Sequence, residues 1–131
     1  MKKVLFVCVE NAGRSQIAEA FANKYGKGTL EALSAGTMPS NEVNPFVVQV
    51  MLEKGFDLSR NKPRLITGHM VQEADMIIVM GCSAEGFCPA SLLNKVVDWG
   101  VEDPKDKPIE KVREIRDEIE RRVRALIQEI S

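Results

Sequence analysis

The sequence predicts a single α/β domain, residues 1–131, built around a parallel β-sheet. Short apolar runs recur along the chain, as expected of strands that are buried on both faces of such a sheet. Segments with helical periodicity alternate with these runs, which is the order of connected strand and helix pairs. The length of 131 residues, with 44% hydrophobic and 28% charged residues, suits one folded domain of ordinary composition.

The first strand and helix are predicted from an apolar run followed by a periodic segment. Lys3–Val9 is a nearly continuous, Val-rich run that predicts a buried strand. Apolar residues then recur at helical spacing from the expected N-cap Ser15 to the stop at Gly26. The alternating segment Thr29–Ala35 predicts the second strand, which Gly36 terminates.

The second helix has a recognisable start and end. Asn44 and Pro45 predict its N-cap and first position, and Gly55 predicts its stop. The stretch Ser59–Gly68 contains Pro63 and is expected to be irregular, with one short helix.

The second half of the chain predicts two further strands and a long helix. Ala74–Met80 reads as a buried third strand and Lys95–Trp99 as a short fourth strand. Ile109–Ile130 places its aliphatic residues along one stripe, so it predicts an amphipathic helix packed on the sheet. Its charged residues are interpreted as a solvated face.

Charge and hydropathy exclude several classes of protein. The 18 basic and 19 acidic residues give a net charge of -1, which argues against nucleic acid or an anionic membrane surface as a partner. The N-terminal apolar run is too short for a secretion signal, and no run approaches the roughly 18 apolar residues of a membrane span. A cytoplasmic protein is therefore expected. In that reducing compartment, Cys8, Cys82 and Cys88 indicate reactive or metal-binding thiols.

The segment from Cys8 to Ser15 lies between the first strand and the first helix, where open α/β sheets bind ligands. A short turn there can point backbone amides into one concavity, and the helix N-terminus favours a tetrahedral oxyanion such as phosphate or arsenate. A guanidinium can donate two parallel hydrogen bonds to the oxygens of the anion. The amides and the guanidinium also favour the nucleophilic thiolate of a cysteine at the base of the loop. The residues expected to bind the oxyanion are Glu10, Asn11, Ala12, Gly13, Arg14 and Ser15.

Asp103 is the candidate general acid. It follows the predicted fourth strand, so it is expected at the same edge of the sheet as Cys8. A carboxylic acid at that position can protonate a leaving oxygen while the thiolate attacks. Pro104 would stiffen its placement.

Cys8-x5-Arg14-Ser15 together with Asp103-Pro104 resembles the low-molecular-weight tyrosine phosphatase superfamily. Further residues are similar to its thioredoxin-coupled arsenate reductase branch, namely Asn11, Ser15-Gln16, Ser34-Ala35-Gly36, Met80-Gly81-Cys82, Cys88-Pro89 and Trp99-Gly100 through Asp103-Pro104. The resemblance covers nearly the whole chain. It implies a three-layer sandwich with a four-stranded parallel sheet, Cys8 as first nucleophile, Arg14 and Ser15 as oxyanion and thiolate partners, and Asp103 as acid.

The arsenate reductase branch also implies a role for the other two cysteines. Reduction of arsenate to arsenite needs two electrons, which a forming disulfide can supply. Cys82 directly follows the predicted third strand and is the expected first attacker on the Cys8 adduct. Cys88 would then attack Cys82, which leaves a Cys82–Cys88 disulfide for thioredoxin to reduce.

We expect a monomer without a resident cofactor. Some family members bind potassium, and Asn11, Glu19 and Ser34 match that site, but the segment 61–64 is basic where a carboxylate would complete it. A zinc site formed by His69 and the three thiolates is an alternative, but the short paired spacings of such sites are absent.

Two charged residues near the expected site depart from the family pattern. Glu10 places a carboxylate in the anion loop, and we expect it to turn outward to solvent because it would repel the oxyanion. Lys105 follows Asp103-Pro104, where the phosphatases usually carry aromatic residues.

Two other functions stay open. A low-molecular-weight phosphatase would need only Cys8, so Cys82, Cys88 and Lys105 argue against it. A redox or oxyanion sensor without turnover would not need a complete set of nucleophile, acid and further thiols.

Overall fold

The computed structural model describes residues 1–81 and 96–131 and places four strands and four helices within them. In chain order these are β1 (Lys2–Cys8), α1 (Arg14–Tyr25), β2 (Leu30–Gly36), α2 (Pro45–Leu52), α3 (Gly68–Glu73), β3 (Met76–Val79), β4 (Val96–Asp98) and α4 (Ile109–Ile130). The strands form one sheet in the order β2-β1-β3-β4, and every neighbouring pair is parallel. The predicted α/β class and four-stranded parallel sheet are confirmed.

β1 lies inside the sheet and is buried on both of its faces. Val4, Phe6 and Cys8 point into a large apolar cluster that α1, α2 and α4 complete. Leu5 and Val7 point into a smaller cluster on the opposite face, which side chains of α3 border. Helices therefore cover both faces of the sheet, which is the predicted three-layer arrangement.

α4 buries the aliphatic stripe that its periodicity predicts. Five side chains of this stripe are buried, namely Val112, Ile115, Ile119, Val123 and Leu126. Burial of each such side chain contributes about 1.5–3 kcal/mol before the entropy cost of ordering. Within the described residues, none of the helices combines the length and the apolar character needed to cross a membrane.

A buried arginine joins α4 to the end of α2. The Nη1 of Arg116 donates to the carbonyl oxygen of Val50 at 2.9 Å and to Oε1 of Glu53 at 2.8 Å. Arg113 donates to the same carboxylate, with an Nη2 to Oε2 distance of 2.8 Å. Hydrogen bonds from Arg113 and Arg116 lower the pKa of Glu53 to about 2. The two helices are thus held by apolar packing and by this ion pair.

The start of α1 differs from the prediction. Gly13 is the N-cap, and no side chain caps the helix. The predicted cap, Ser15, is instead the second residue of α1 and is fully buried. Its hydroxyl lies 2.9 Å from the Sγ of Cys8, so a contact with the last residue of β1 replaces the local capping bond.

The predicted short helix lies later in the chain than expected. Gly36 of β2 donates its amide to the carbonyl of Arg64 at 2.9 Å and accepts from the amide of Ile66 at 2.9 Å. Because this pairing needs extended backbone, α3 begins only at Gly68, where Thr67 caps it. The Asn44 cap of α2 is confirmed, since its side chain accepts from the amide of Phe46 at 2.9 Å.

The fourth strand covers three of the five residues predicted for it, Val96–Asp98. Lys95 lies outside the described residues. Trp99 follows the strand and packs on the sheet, with its ring centroid 5.7 Å from that of Phe6. β4 therefore directs the following chain, which carries Asp103, toward the carboxyl end of β1.

Candidate active site

The loop between β1 and α1 turns its carbonyl groups outward. Three of its carbonyl oxygens accept hydrogen bonds of 2.8 to 3.1 Å from backbone amides of residues 38–44, and these belong to Val9, Glu10 and Ala12. The C=O and N–H groups of a trans peptide point in opposite directions. The amides of Glu10, Asn11 and Gly13 therefore point toward the interior of the loop, where successive N–H donors form a concavity suited to an oxyanion.

Cys8 ends β1 at the base of this loop and is only 6% exposed. Its Sγ lies 2.9 Å from the Oγ of Ser15. The Nδ2 of Asn11 donates to the same Oγ at 2.7 Å, which leaves the hydrogen of the Ser15 hydroxyl available for the sulfur. The hydroxyl is therefore positioned to hydrogen-bond the sulfur of the candidate nucleophile.

Arg14 is the first residue of α1, and its guanidinium is almost completely buried, with 4% of the residue exposed. Its Nη1 donates to the carbonyl oxygens of Met80 at 2.6 Å and of Val101 at 3.0 Å. Its Nη2 lies 3.5 Å from Oδ2 of Asp103. These contacts fix the plane of the guanidinium and join the ends of three chain segments around the loop.

Asp103 lies beside the anion loop, and half of its side chain is exposed. Its Oδ1 accepts a hydrogen bond from the amide of Lys105 at 3.0 Å. The next residue, Pro104, packs so closely on Gly13 that a Cβ at position 13 would lie 3.0 Å from the Pro104 Cγ. A side chain at position 13 would therefore require Pro104 to shift by a few tenths of an ångström.

These side chains surround one pocket. Cys8, Arg14 and Asp103 all line a cavity of about 180 Å³. The structure therefore brings together a nucleophile, a fixed cation and an acid that are separated by up to 95 residues in the sequence. Such a set can bind a tetrahedral oxyanion, attack its central atom and protonate a departing oxygen.

Glu10 does not turn away to solvent as the sequence analysis expects. Its Oε2 lies 2.7 Å from the Nζ of Lys105, and Glu10 borders the pocket. Lys105 supplies a counter-charge, which removes the repulsion that motivated the outward orientation.

A buried hydrogen-bond network holds the loop from below. Asn11 has no exposed surface, and its φ of 52° lies in the left-handed region that Asn tolerates better than most residues. Its Oδ1 accepts from the Nε2 of Gln16 at 3.1 Å and from the amide of Arg64 at 2.9 Å. Asn11 was expected to bind the anion, and no role was expected for Gln16. Asn11 lies within the motif and Gln16 directly follows it. The presence of two amide side chains at these positions is the sequence signal that could have indicated the network.

Asn11→Ala is expected to lower the free energy of unfolding by about 3 kcal/mol, because it leaves buried donors on Gln16 and Arg64 unpaired. It should also slow alkylation of Cys8, because Ser15 loses the donor that orients its hydroxyl. Urea denaturation and mass-spectrometric mapping of iodoacetamide labelling measure the two effects.

Asn23→Ala is the matched control, since the Asn23 side chain bonds both backbone groups of Ala32 at 2.8 and 3.1 Å, away from the loop. It should reduce stability and leave the alkylation rate of Cys8 unchanged. An Asn11→Ala protein whose Cys8 reacts as fast as that of the original chain contradicts the orienting role.

The residues that match the potassium site are bonded to the protein itself. The Oγ of Ser34 donates to Oε1 of Glu19 at 2.7 Å, and Asn11 Oδ1 already accepts two hydrogen bonds. Burial raises the pKa of Glu19, against smaller lowering effects of Ser34 and of the Arg64 charge. Arg60, Lys62 and Arg64 line the adjoining concavity. These residues do not fit a monovalent cation site.

Two of the predicted catalytic residues, Cys82 and Cys88, lie outside the described residues. His69 lies on α3. Across residues 1–81 and 96–131, no three His, Cys, Asp or Glu side chains gather in a way that could hold a metal ion. The zinc alternative, which requires Cys82 and Cys88, stays untested.

The chain is similar to known proteins over its whole length. Residues 3–131 match the family described as low molecular weight phosphotyrosine protein phosphatase. A protein of Halobacterium salinarum that is provisionally named an arsenate reductase is 41% identical over 131 residues, covering 96% of this chain and 91% of that protein. The glutaredoxin arsenate reductase of Synechocystis sp. is 35% identical over 133 residues, covering 100% of both.

A solved structure shows the same architecture. The thioredoxin-dependent arsenate reductase of Corynebacterium glutamicum superposes with a TM-score of 0.82 at 37% identity, covering 99% of this chain and 62% of that one. The similarity in fold therefore extends across all of the elements that position the pocket.

Proposed function

The chain belongs to the low molecular weight phosphotyrosine protein phosphatase family, and from this premise we propose that it reduces arsenate to arsenite. One observation carries the proposal. A buried thiol, Cys8, lies 2.9 Å from a hydroxyl oriented toward it, in a pocket with Arg14 and Asp103, in a chain that has two further cysteines. The similarity to arsenate reductases over nearly full length supports the choice of arsenate.

The first step forms a bond between sulfur and arsenic. The inward amides of the loop and the Arg14 guanidinium hold the arsenate oxygens. The Cys8 thiolate attacks the arsenic, and one oxygen leaves as water after it takes a proton from Asp103. Arsenic stays in its +5 state in this adduct, so no electrons have yet been transferred.

The second step is the reduction. A second thiolate, that of Cys82, attacks the Cys8 sulfur, and the electron pair of the sulfur–arsenic bond leaves with arsenite. Two thiol sulfurs are oxidised to a disulfide while arsenic goes from +5 to +3, so the electrons balance. Cys88 then attacks Cys82, which restores the Cys8 thiolate and leaves a Cys82–Cys88 disulfide.

We propose thioredoxin as the external reductant. The relay ends in an intramolecular disulfide, which a dithiol reductant opens through a mixed disulfide. One relative is named for glutaredoxin and one structural relative for thioredoxin, so both reductants belong in the assay.

A phosphatase activity is the second candidate, and the family to which the chain belongs favours it. The same attack on phosphorus would give a phosphocysteine that water hydrolyses, and this needs no thiol beyond Cys8. The two activities therefore share the pocket and differ in their need for Cys82 and Cys88.

Thiol mapping after a single turnover tests the reductase proposal. Reduced protein mixed with arsenate in the absence of reductant is expected to release one arsenite per chain and to form a bond between Cys82 and Cys88, with Cys8 left free. Mass spectrometry of alkylated peptides and arsenic speciation measure both products. Released arsenite with three free thiols contradicts the relay, and no arsenite at all contradicts the function.

We also infer that the activity needs no potassium ion. The oxygens of Ser34, Glu19 and Asn11 are engaged in hydrogen bonds within the protein, and basic residues border them. Equal arsenate reduction in sodium and potassium buffers of the same ionic strength is the expected result.

A further inference from the structure

An ion pair lies at the outer side of the pocket. Glu10 comes from the anion loop and Lys105 from the loop that carries Asp103, and their Oε2 and Nζ atoms are 2.7 Å apart. Both residues line the pocket. Their side chains are 33% and 59% exposed, whereas Cys8 is 6% exposed, so the pair bridges the rim while the thiol lies at the base.

The bridge is anchored to the reacting groups at both ends. Glu10 is two residues from Cys8, and its carbonyl accepts a hydrogen bond from Ser40 at 3.1 Å. The Lys105 amide donates to Asp103 Oδ1 at 3.0 Å, and Pro104 packs on Gly13. The Lys105 stem therefore starts from a fixed point beside the acid.

The charges of the pair matter for anion binding. An unpaired carboxylate at the rim would repel an entering oxyanion, and Lys105 offsets this charge. The hydrogen bond with Glu10 raises the pKa of Lys105, a side chain that is charged at neutral pH even at its ordinary pKa. The pair is formally neutral, so attraction of the anion falls to the loop amides and the Arg14 guanidinium.

The pocket is small. Its volume of about 180 Å³ is below the roughly 300–1,000 Å³ typical of sites for drug-sized ligands. A free oxyanion fits within this volume, but the organic group of an ester must extend past the rim, which Glu10 and Lys105 form together with residues 40–45.

We propose that the Glu10–Lys105 bridge determines specificity by selecting free inorganic oxyanions over aryl esters and other organic oxyanions. This inference rests on the proposed function, because it concerns the substrate class of the same pocket. It concerns only which anions bind in the pocket of the reduced protein, so binding measurements without turnover can test it.

Titration calorimetry with two non-reacting probes, inorganic phosphate and phenylphosphonate, tests the proposal on the full chain. The original protein should bind phosphate more tightly than phenylphosphonate. Glu10→Ser combined with Lys105→Ser should open the rim and shift the affinity ratio about tenfold toward phenylphosphonate, equivalent to about 1.4 kcal/mol. Lys105→Ser alone should weaken both probes, because Glu10 is then uncompensated.

Lys107→Ser is the matched control, since Lys107 pairs with Glu102 at 3.5 Å on the same loop but does not line the pocket. It should leave both affinities unchanged. The exchanged pair, Glu10→Lys with Lys105→Glu, should restore the original ratio if the bridge is what matters. An unchanged ratio in the double serine variant overturns the proposal. A chain that shows the predicted binding but reduces no arsenate would overturn only the proposed function.

Discussion

Cys82→Ser should abolish arsenate reduction while hydrolysis of p-nitrophenyl phosphate stays within about twofold of the original rate. The reason is the electron balance, because Cys8 alone can form the arsenic adduct but cannot release arsenite. Phosphoryl transfer uses only the pocket of Cys8, Arg14 and Asp103 and needs no second thiol. The measurement is arsenite production with thioredoxin and its reductase, in the absence of small thiols.

Cys88→Ser is the control that separates the two later thiols. It should release arsenite once per chain and then stop as a Cys8–Cys82 disulfide, which mass spectrometry can identify. If Cys82→Ser still turns over arsenate with thioredoxin, Cys82 is not the attacking thiol. If both activities are lost, the substitution has damaged the pocket. Weaker binding of inorganic phosphate than in the original protein would show this damage.

Arg14→Lys should lower kcat/KM for arsenate and for p-nitrophenyl phosphate together, by about 10²–10³-fold. The guanidinium bonds the carbonyls of Met80 and Val101 and approaches Asp103. A lysine ammonium is a point charge without the planar fork, so it cannot keep these contacts and also face the anion. Because the transition state carries the same equatorial oxygens in both reactions, the two losses should be similar.

Arg60→Lys is the matched control, since Arg60 is exposed and borders the other concavity. It should leave both rates unchanged. Steady-state kinetics on the two substrates, with thermal unfolding to verify the fold, provide the measurement. A decrease of less than threefold for Arg14→Lys would show that the backbone amides bind the anion without the guanidinium.

Local sequence was sufficient to predict much of the fold and part of the site. The continuous apolar run of β1 is the direct signature of a strand buried on both faces, and the stripe of α4 has one helical face to bury. Cys8 and Arg14 are close in the chain, so the turn between a strand and a helix places them together. Asp103 could be located because a parallel sheet brings the carboxyl ends of its strands to one edge.

Features that depend on tertiary contacts could not be predicted from the spacing of residues along the chain. Ser15 was expected both to cap α1 and to hydrogen-bond the Cys8 sulfur, and only the contact with the sulfur forms, because the cap would need the same hydroxyl. Glu10 looks solvent-directed because its partner, Lys105, is 95 residues away in the chain. The extended pairing of Gly36 with residues 64 and 66 likewise prevents the helix that Ser59–Gly68 was expected to contain. In each case a tertiary contact outweighed the local preference.

The pairing of β1 on both sides holds the Cys8 sulfur in place. β1 is hydrogen-bonded to β2 on one side and to β3 on the other, and Cys8 is in register with Gly36. A sulfur held in this way is expected to keep its position during the reaction. In the proposed reaction, the oxyanion and the attacking thiol would then have to come within reach of a sulfur that keeps its place.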